Sequence, residues 1–209
     1  MKITLTYWKF PFWRAEVSRL ALHLSGTPFT NVYPDRQSWS EMKSQESTPY
    51  DQLPILEVDG VKIAQTGAIA RFCGKIAGLY PANPLLAAQV DEFIDTCTDV
   101  TGKLSATMRI KDPQARLQAR KKLAETTLPW WLGRLERRAR ELGNGTWLVG
   151  ETMTIADLAV WRMNDWLSSG ILDGIPTEIL APFEELTRHR DHVGSVPEIA
   201  AYMAEVYAK

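Results

Sequence analysis

Residues able to do chemistry are few in this chain, and their types and spacing limit which chemistries are open to it. Leu53-Pro54-Ile55 places a proline at the start of an apolar run. There its missing N–H removes no central ladder bond, and a cis peptide fits a tight turn. The cysteines Cys73 and Cys97 lie among apolar residues at helical spacing, with no C-x-x-C pair, which excludes a redox disulfide. Gln65-Thr66 opens a helical pattern whose first-turn N–H groups and positive dipole end suit a carboxylate, the plain alternative being a threonine N-cap. Asp91, Asp95 and Asp99 recur every four residues and make an anionic stripe, ordinarily a solvated face. Arg134, Arg137, Arg138 and Arg140 alternate with Glu136 and Glu141 and describe a second solvated face. No metal site is expected.

Composition narrows the class further. The 209 residues carry 24 Lys+Arg against 25 Asp+Glu, so nothing advertises a nucleic-acid partner. Hydrophobic residues make up 45%, enough for a packed core in two modest domains. Met1–Tyr7 lacks the apolar run of a signal peptide, and no stretch approaches the roughly 20 apolar residues of a membrane span. A cytoplasmic protein with reduced cysteines is expected. Asn144-Gly145-Thr146 is then a loop rather than a glycosylation site.

The elements that must position these residues change rhythm along the chain. Ile3 and Leu5 alternate with polar residues and predict a strand ending near Tyr7. Val17, Leu20, Ala21 and Leu24 predict a helix stopped by Gly26 in a left-handed cap. Phe29–Tyr33 predicts a second strand, parallel to the first. Asp59-Gly60 between two apolar runs is a hairpin signal, and Ile69, Phe72, Cys73 and Ile76 lie on one face of the helix that follows. After Pro84 the pattern is helical throughout. Leu86, Val90, Phe93, Cys97, Val100, Leu104 and Met108 fall on one long helix, Asp112-Pro113 starts another, and Pro129 should kink or break it. Thr154-Ile155-Ala156-Asp157 has capping-box spacing, with Met153 and Leu158 as a staple, and Ser195-Val196-Pro197-Glu198 is expected to cap a last helix. The order β-α-β then β-β-α, with a proline before the third strand, points to a thioredoxin-like domain over residues 1–80, followed by an all-helical domain over 85–209.

Four segments, Leu5-Thr6-Tyr7-Trp8 with Arg14-Ala15-Glu16, Gln52-Leu53-Pro54-Ile55-Leu56, Gln65-Thr66-Gly67-Ala68-Ile69-Ala70-Arg71-Phe72, and Gly150-Glu151-Thr152-Met153-Thr154-Ile155-Ala156-Asp157, together resemble the cytosolic glutathione S-transferases. The tyrosine start with Arg-Ala-Glu looks most like the sigma class. The resemblance implies a cytoplasmic, homodimeric detoxification enzyme that attacks apolar electrophiles with the thiol of its co-substrate glutathione. It implies that Tyr7 donates a hydrogen bond to the glutathione sulfur. A free thiol titrates near about 8.5 and only its anion attacks, so such a donor raises the reactive fraction. It implies further that Arg14, Trp39, Lys43, Gln52, Leu53, Pro54, Gln65 and Thr66 hold the peptide, Leu53 through its backbone, and that Asp95 reaches the other subunit's glutathione amino group. An isomerase or a peroxidase using the same thiolate, and a non-catalytic glutathione-binding or hydrophobic-ligand-binding protein on the same fold, remain open alternatives.

The chain departs from that family pattern between Tyr7 and Arg14. Trp8-Lys9-Phe10-Pro11-Phe12-Trp13 is longer than usual and aromatic, and it puts Phe10 where other classes of the superfamily carry a reactive Cys or Ser. A Cys-type or Ser-type mechanism is thereby disfavoured. Phe10, Phe12 and Trp13, with Met108 and Met163, are expected to line a wide apolar electrophile pocket.

Overall fold

The computed structural model describes residues 1–207. Strand β1 (Ile3–Thr6) leads into helix α1 (Trp13–Leu24), which Gly26 ends at φ 66°, its N–H bonded to the His23 carbonyl. Strand β2 (Thr30–Val32) runs parallel to β1, and α2 (Arg36–Ser44) follows, capped by Asp35 and Ser38. Strands β3 (Ile55–Val58) and β4 (Val61–Ala64) form the expected hairpin; Asp59 and Gly60 both take positive φ, as a type I′ turn requires. β3 pairs antiparallel with β1, so the sheet order is β2-β1-β3-β4. Helix α3 (Thr66–Ile76) returns across the sheet beside α1.

Everything after α3 is helix and loop. α4 (Pro84–Met108) is capped by the Asn83 side chain, with proline in its first turn. α5 (Pro113–Lys122) runs through five π-helical residues, Leu123–Thr127, into α6 (Leu128–Leu142). The break expected at Pro129 is therefore a wide turn instead. Pro129 sits in the first turn of α6, and the π-helical register before it accommodates the missing N–H and the ring without ending the rod. α7 (Ile155–Leu167) buries twelve of its 13 residues, as befits a helix apolar nearly all round. α8 (Glu184–Ser195) and α9 (Pro197–Tyr207) complete the described chain. The cap expected at Ser195 is not formed, because Ser195 belongs to the end of α8 and its hydroxyl donates to the His192 carbonyl. Among the described residues, no helix is long and apolar enough to cross a membrane.

The two halves share one core, centred where α1 meets α7. Trp13 of α1 is fully buried there and donates its indole N–H to the Thr101 hydroxyl of α4 at 2.8 Å. Glu16 and Arg19, also fully buried, pair at 3.0 Å, and the Tyr207 hydroxyl of α9 donates to the same Glu16 oxygen. Arg19 completes its donations at Asn31 Oδ1 (2.9 Å) and the Trp8 carbonyl (3.3 Å). Two buried charges persist only with such partners.

Candidate active site

A cavity of about 370 Å³ opens where the loop before β3, the start of α3, the first turn of α1 and the middle of α4 converge. Seven of the residues singled out in the sequence meet there: Arg14, Gln52, Leu53, Pro54, Gln65, Thr66 and Asp95. The Leu53-Pro54 peptide is cis.

The start of α3 is built to receive an anion. Gln65, not Thr66, is its N-cap residue, and no side chain caps the helix, so the first-turn N–H groups of Thr66, Gly67 and Ala68 are left for whatever occupies the cavity they line. Gln65 holds φ 72° and ψ 121°, a conformation unfavourable for a residue with a side chain and found here at the rim of the cavity. One turn along α3 the wall is cationic and then anionic. Arg71 of α3 donates to Asp91 at 2.6 Å and reaches Asp95 at 3.4 Å, while the Tyr80 hydroxyl also donates to Asp91. Asp95 is 72% exposed, so it remains free to accept from a ligand ammonium.

Tyr50, Arg71 and Thr98 line the cavity without having been anticipated. For Arg71 a signal was present. A side chain at Gly67, four residues earlier, would stand 2.8 Å from the Arg71 guanidinium, so glycine at that helical position makes room for the arginine.

Tyr7 follows β1 directly, its N–H held by the Val32 carbonyl at 3.1 Å and its side chain 6% exposed. Burial pushes its phenol up to about 12, against the opposing fields of Arg14 and Arg19. The hydroxyl is thus protonated throughout the physiological range, which is what a hydrogen-bond donor needs. Tyr7 is not itself among the residues lining the cavity; Thr6 just before it pairs with Ile55, the neighbour of the cavity-lining Pro54. Trp39 and Lys43 lie outside it, on α2: Trp39 packs edge-on against Trp8 at 6.1 Å, with the Lys43 ammonium 5.7 Å from its ring.

The apolar pocket residues separate. Phe10 is half-buried and stacks on Phe12 at 6.1 Å. Phe12 packs edge-on against Trp166 at 4.7 Å. Trp13 and Met163 are fully buried, which corrects their expected place in a pocket wall. An indole bonded to Thr101 and a thioether inside α7 are core packing, because those positions face the junction of the two halves. Met108 ends α4 on the surface, 53% exposed. Asp157 does more than cap α7. It accepts from the Thr154 and Leu148 N–H groups and faces His189 Nε2 at 3.0 Å, a buried cluster whose histidine the local sequence pattern did not reveal.

The glutathione S-transferase N-terminal domain matches residues 3–74, and the glutathione S-transferase C-terminal domain matches residues 98–206. Glutathione S-transferase 1 of Ascaris suum is 32% identical over 91% of this chain and 90% of its own. The hematopoietic prostaglandin D synthase of Gallus gallus is 29% identical over 91% and 89%. Among solved structures, prostaglandin synthase D of Nilaparvata lugens superposes with a TM-score of 0.85 at 27% identity, covering 98% of each chain. A thioredoxin-like domain followed by a helical one, both family domains in that order, and a relative above 30% identity over most of both chains establish that this protein belongs to the glutathione S-transferase family, with glutathione as co-substrate.

Proposed function

We propose that this transferase activates glutathione through Tyr7, in the manner of the sigma-like members, and passes the thiolate to apolar electrophiles. The observation that carries the reading is a buried phenol, kept protonated near neutral pH, that follows the strand pairing with Ile55 beside a cavity whose polar groups complement the peptide. The uncapped start of α3, Gln65, Thr66 and Arg14 receive the γ-glutamyl end, Gln52 and the Leu53 backbone receive the cysteinyl part as an added strand beside Pro54, and Asp95 receives the ammonium. Trp39 and Lys43 reach the glycine carboxylate from α2. Residues 1–80 hold glutathione and residues 85–209 complete the electrophile pocket beside Phe10 and Phe12. The protein works as a cytoplasmic homodimer, in which Asp95 also faces the partner subunit's glutathione. The reduced, buried Cys73 and Cys97 support that compartment.

The deciding experiment is ultraviolet difference absorbance of bound thiolate between about pH 5 and 9, for wild type and Tyr7→Phe. A thiol titrating well below about 8.5 in the wild type alone confirms Tyr7 as the donor. Glutathione bound with an unshifted thiol in both proteins overturns the mechanism in favour of a non-catalytic binder. A second reading, thiol-assisted isomerisation, is favoured by the prostaglandin D synthases of Gallus gallus and Nilaparvata lugens; turnover of a prostaglandin endoperoxide by the purified protein tests it.

A further inference from the structure

The segment Trp8–Phe12 between Tyr7 and α1 makes two hydrogen bonds within itself, Phe10 N–H to the Trp8 carbonyl and Phe12 N–H to the Phe10 carbonyl, both 2.8 Å and each spanning two residues. Turns so tight restrain a chain weakly. α1 in turn starts after Phe12, its N-cap residue, without any side-chain cap. Two arginines restrain it from outside: Arg19 of α1 donates to the Trp8 carbonyl at 3.3 Å, and α7, distant in sequence, holds the other end. The Arg162 side chain, 6% exposed, donates through one terminal nitrogen to the Pro11 carbonyl at 2.6 Å and through the other to Asp165 at 2.7 Å. One turn on, Trp166 packs on Phe12. The planar fork of an arginine suits this duty, since the carboxylate sets its plane and leaves a charged donor aimed at the carbonyl. Arg190 and Asp191 of α8 line the same cleft as Arg162 and Asp165, and Arg190 is occupied with Asp191 and Ser168.

We infer that Arg162 is a positioning residue for thiol activation: by holding the Pro11 carbonyl it fixes the junction with α1, and so the placement of Tyr7 before it and of Arg14 after it. It lines none of the glutathione cavity itself. The inference rests on the reading of Tyr7 as the thiolate's donor. A control within the clamp is available, because Asp165→Asn removes the ion pair and keeps the bond to Pro11, whereas Arg162→Met removes both and keeps an unbranched apolar stem.

The test is the titration of the bound glutathione thiol, with kcat and KM, in wild type, Arg162→Met, Asp165→Asn and Tyr7→Phe. Arg162→Met is expected to raise the bound thiol's apparent pKa by about one unit, lowering kcat about tenfold at pH well below the wild-type value and less near neutral pH, while KM for glutathione changes less than about threefold. Asp165→Asn should titrate close to wild type. Wild-type titration in Arg162→Met beside a shifted Tyr7→Phe overturns the clamp alone, and equal shifts in Arg162→Met and Asp165→Asn overturn it in favour of the ion pair's charge. Wild-type titration in Tyr7→Phe sinks the tyrosine reading, and a clamp with no tyrosine to place falls with it. Should Arg162→Met not fold, Arg162→Lys, which keeps the charge but loses the fork, must show the same direction of shift.

Discussion

Tyr7 lives between two opposing influences, burial that keeps its proton on and two guanidinium groups that favour its loss, and burial wins. Tyr7→Phe is accordingly expected to lower kcat/KM about tenfold to a hundredfold, with KM for glutathione nearly unchanged, because the lost bond is to the sulfur and not to the peptide; steady-state kinetics with a chromogenic chloronitrobenzene checks it. Gln65 pays for its place at the cavity rim with a positive φ. Gln65→Gly should stabilise the fold by about 1 kcal/mol in urea denaturation and raise KM for glutathione several-fold, a trade expected where backbone strain serves a site. Asp157 gathers two backbone N–H groups and a histidine, so Asp157→Ala should destabilise by about 2–4 kcal/mol, beyond the loss of a simple cap, with activity per folded molecule preserved. At this scale the sequence was legible for residues that gather at one cavity, as with Arg14, Leu53 and Asp95. It was silent for His189, whose partner lies 32 residues away.

Between elements, what decides is how closely backbones approach. Gly74 of α3 faces the first residue of α7: a β-carbon there would lie 2.7 Å from Ile155 Cγ2 and 3.4 Å from Tyr80 Cβ. Gly74→Ala should therefore cost about 1–3 kcal/mol, despite alanine's better helix propensity, and thermal denaturation would show it. The local patterns foretold the elements whose boundaries are written in their own residues: the Asp59-Gly60 hairpin, the Gly26 stop, the Asp112 start followed by proline. They failed where a neighbour overrode them. Ser195 has the right spacing for a cap, yet α8 extends through it, because α8 lies against α7 and α6 and its helical register holds to its end. Pro129 has the right chemistry for a break, but the π-helical residues before it absorb the defect. Trp13 and Met163 looked like pocket residues because apolar side chains near a site and apolar side chains in a core are the same in sequence.

For the molecule as a whole, burial sets the alkaline limit of stability. Burial raises the Cys73 thiol and the Tyr7 phenol each to about 12 and pushes Cys97 up as well. Groups with raised folded pKa values keep their protons in the native state while the unfolded chain releases them. Their contribution is whole below the unfolded values and is lost as pH rises above about 8.5 for the thiols and about 10 for the phenol. Melting temperature should stay level to about pH 8 and fall steadily beyond, and differential scanning calorimetry across that window checks the sign.

The bond from the Trp13 indole to the Thr101 hydroxyl has a consequence for exchange between relatives. Each half contributes one member of a pair that neither can satisfy alone. A chimera that takes its first 80 residues from here and the rest from a cousin inherits a buried donor with no acceptor, unless the threonine travels with it. Halves that look like interchangeable modules are bound to be inherited together, and recombination at their boundary will succeed only between parents that already agree on both sides of that contact.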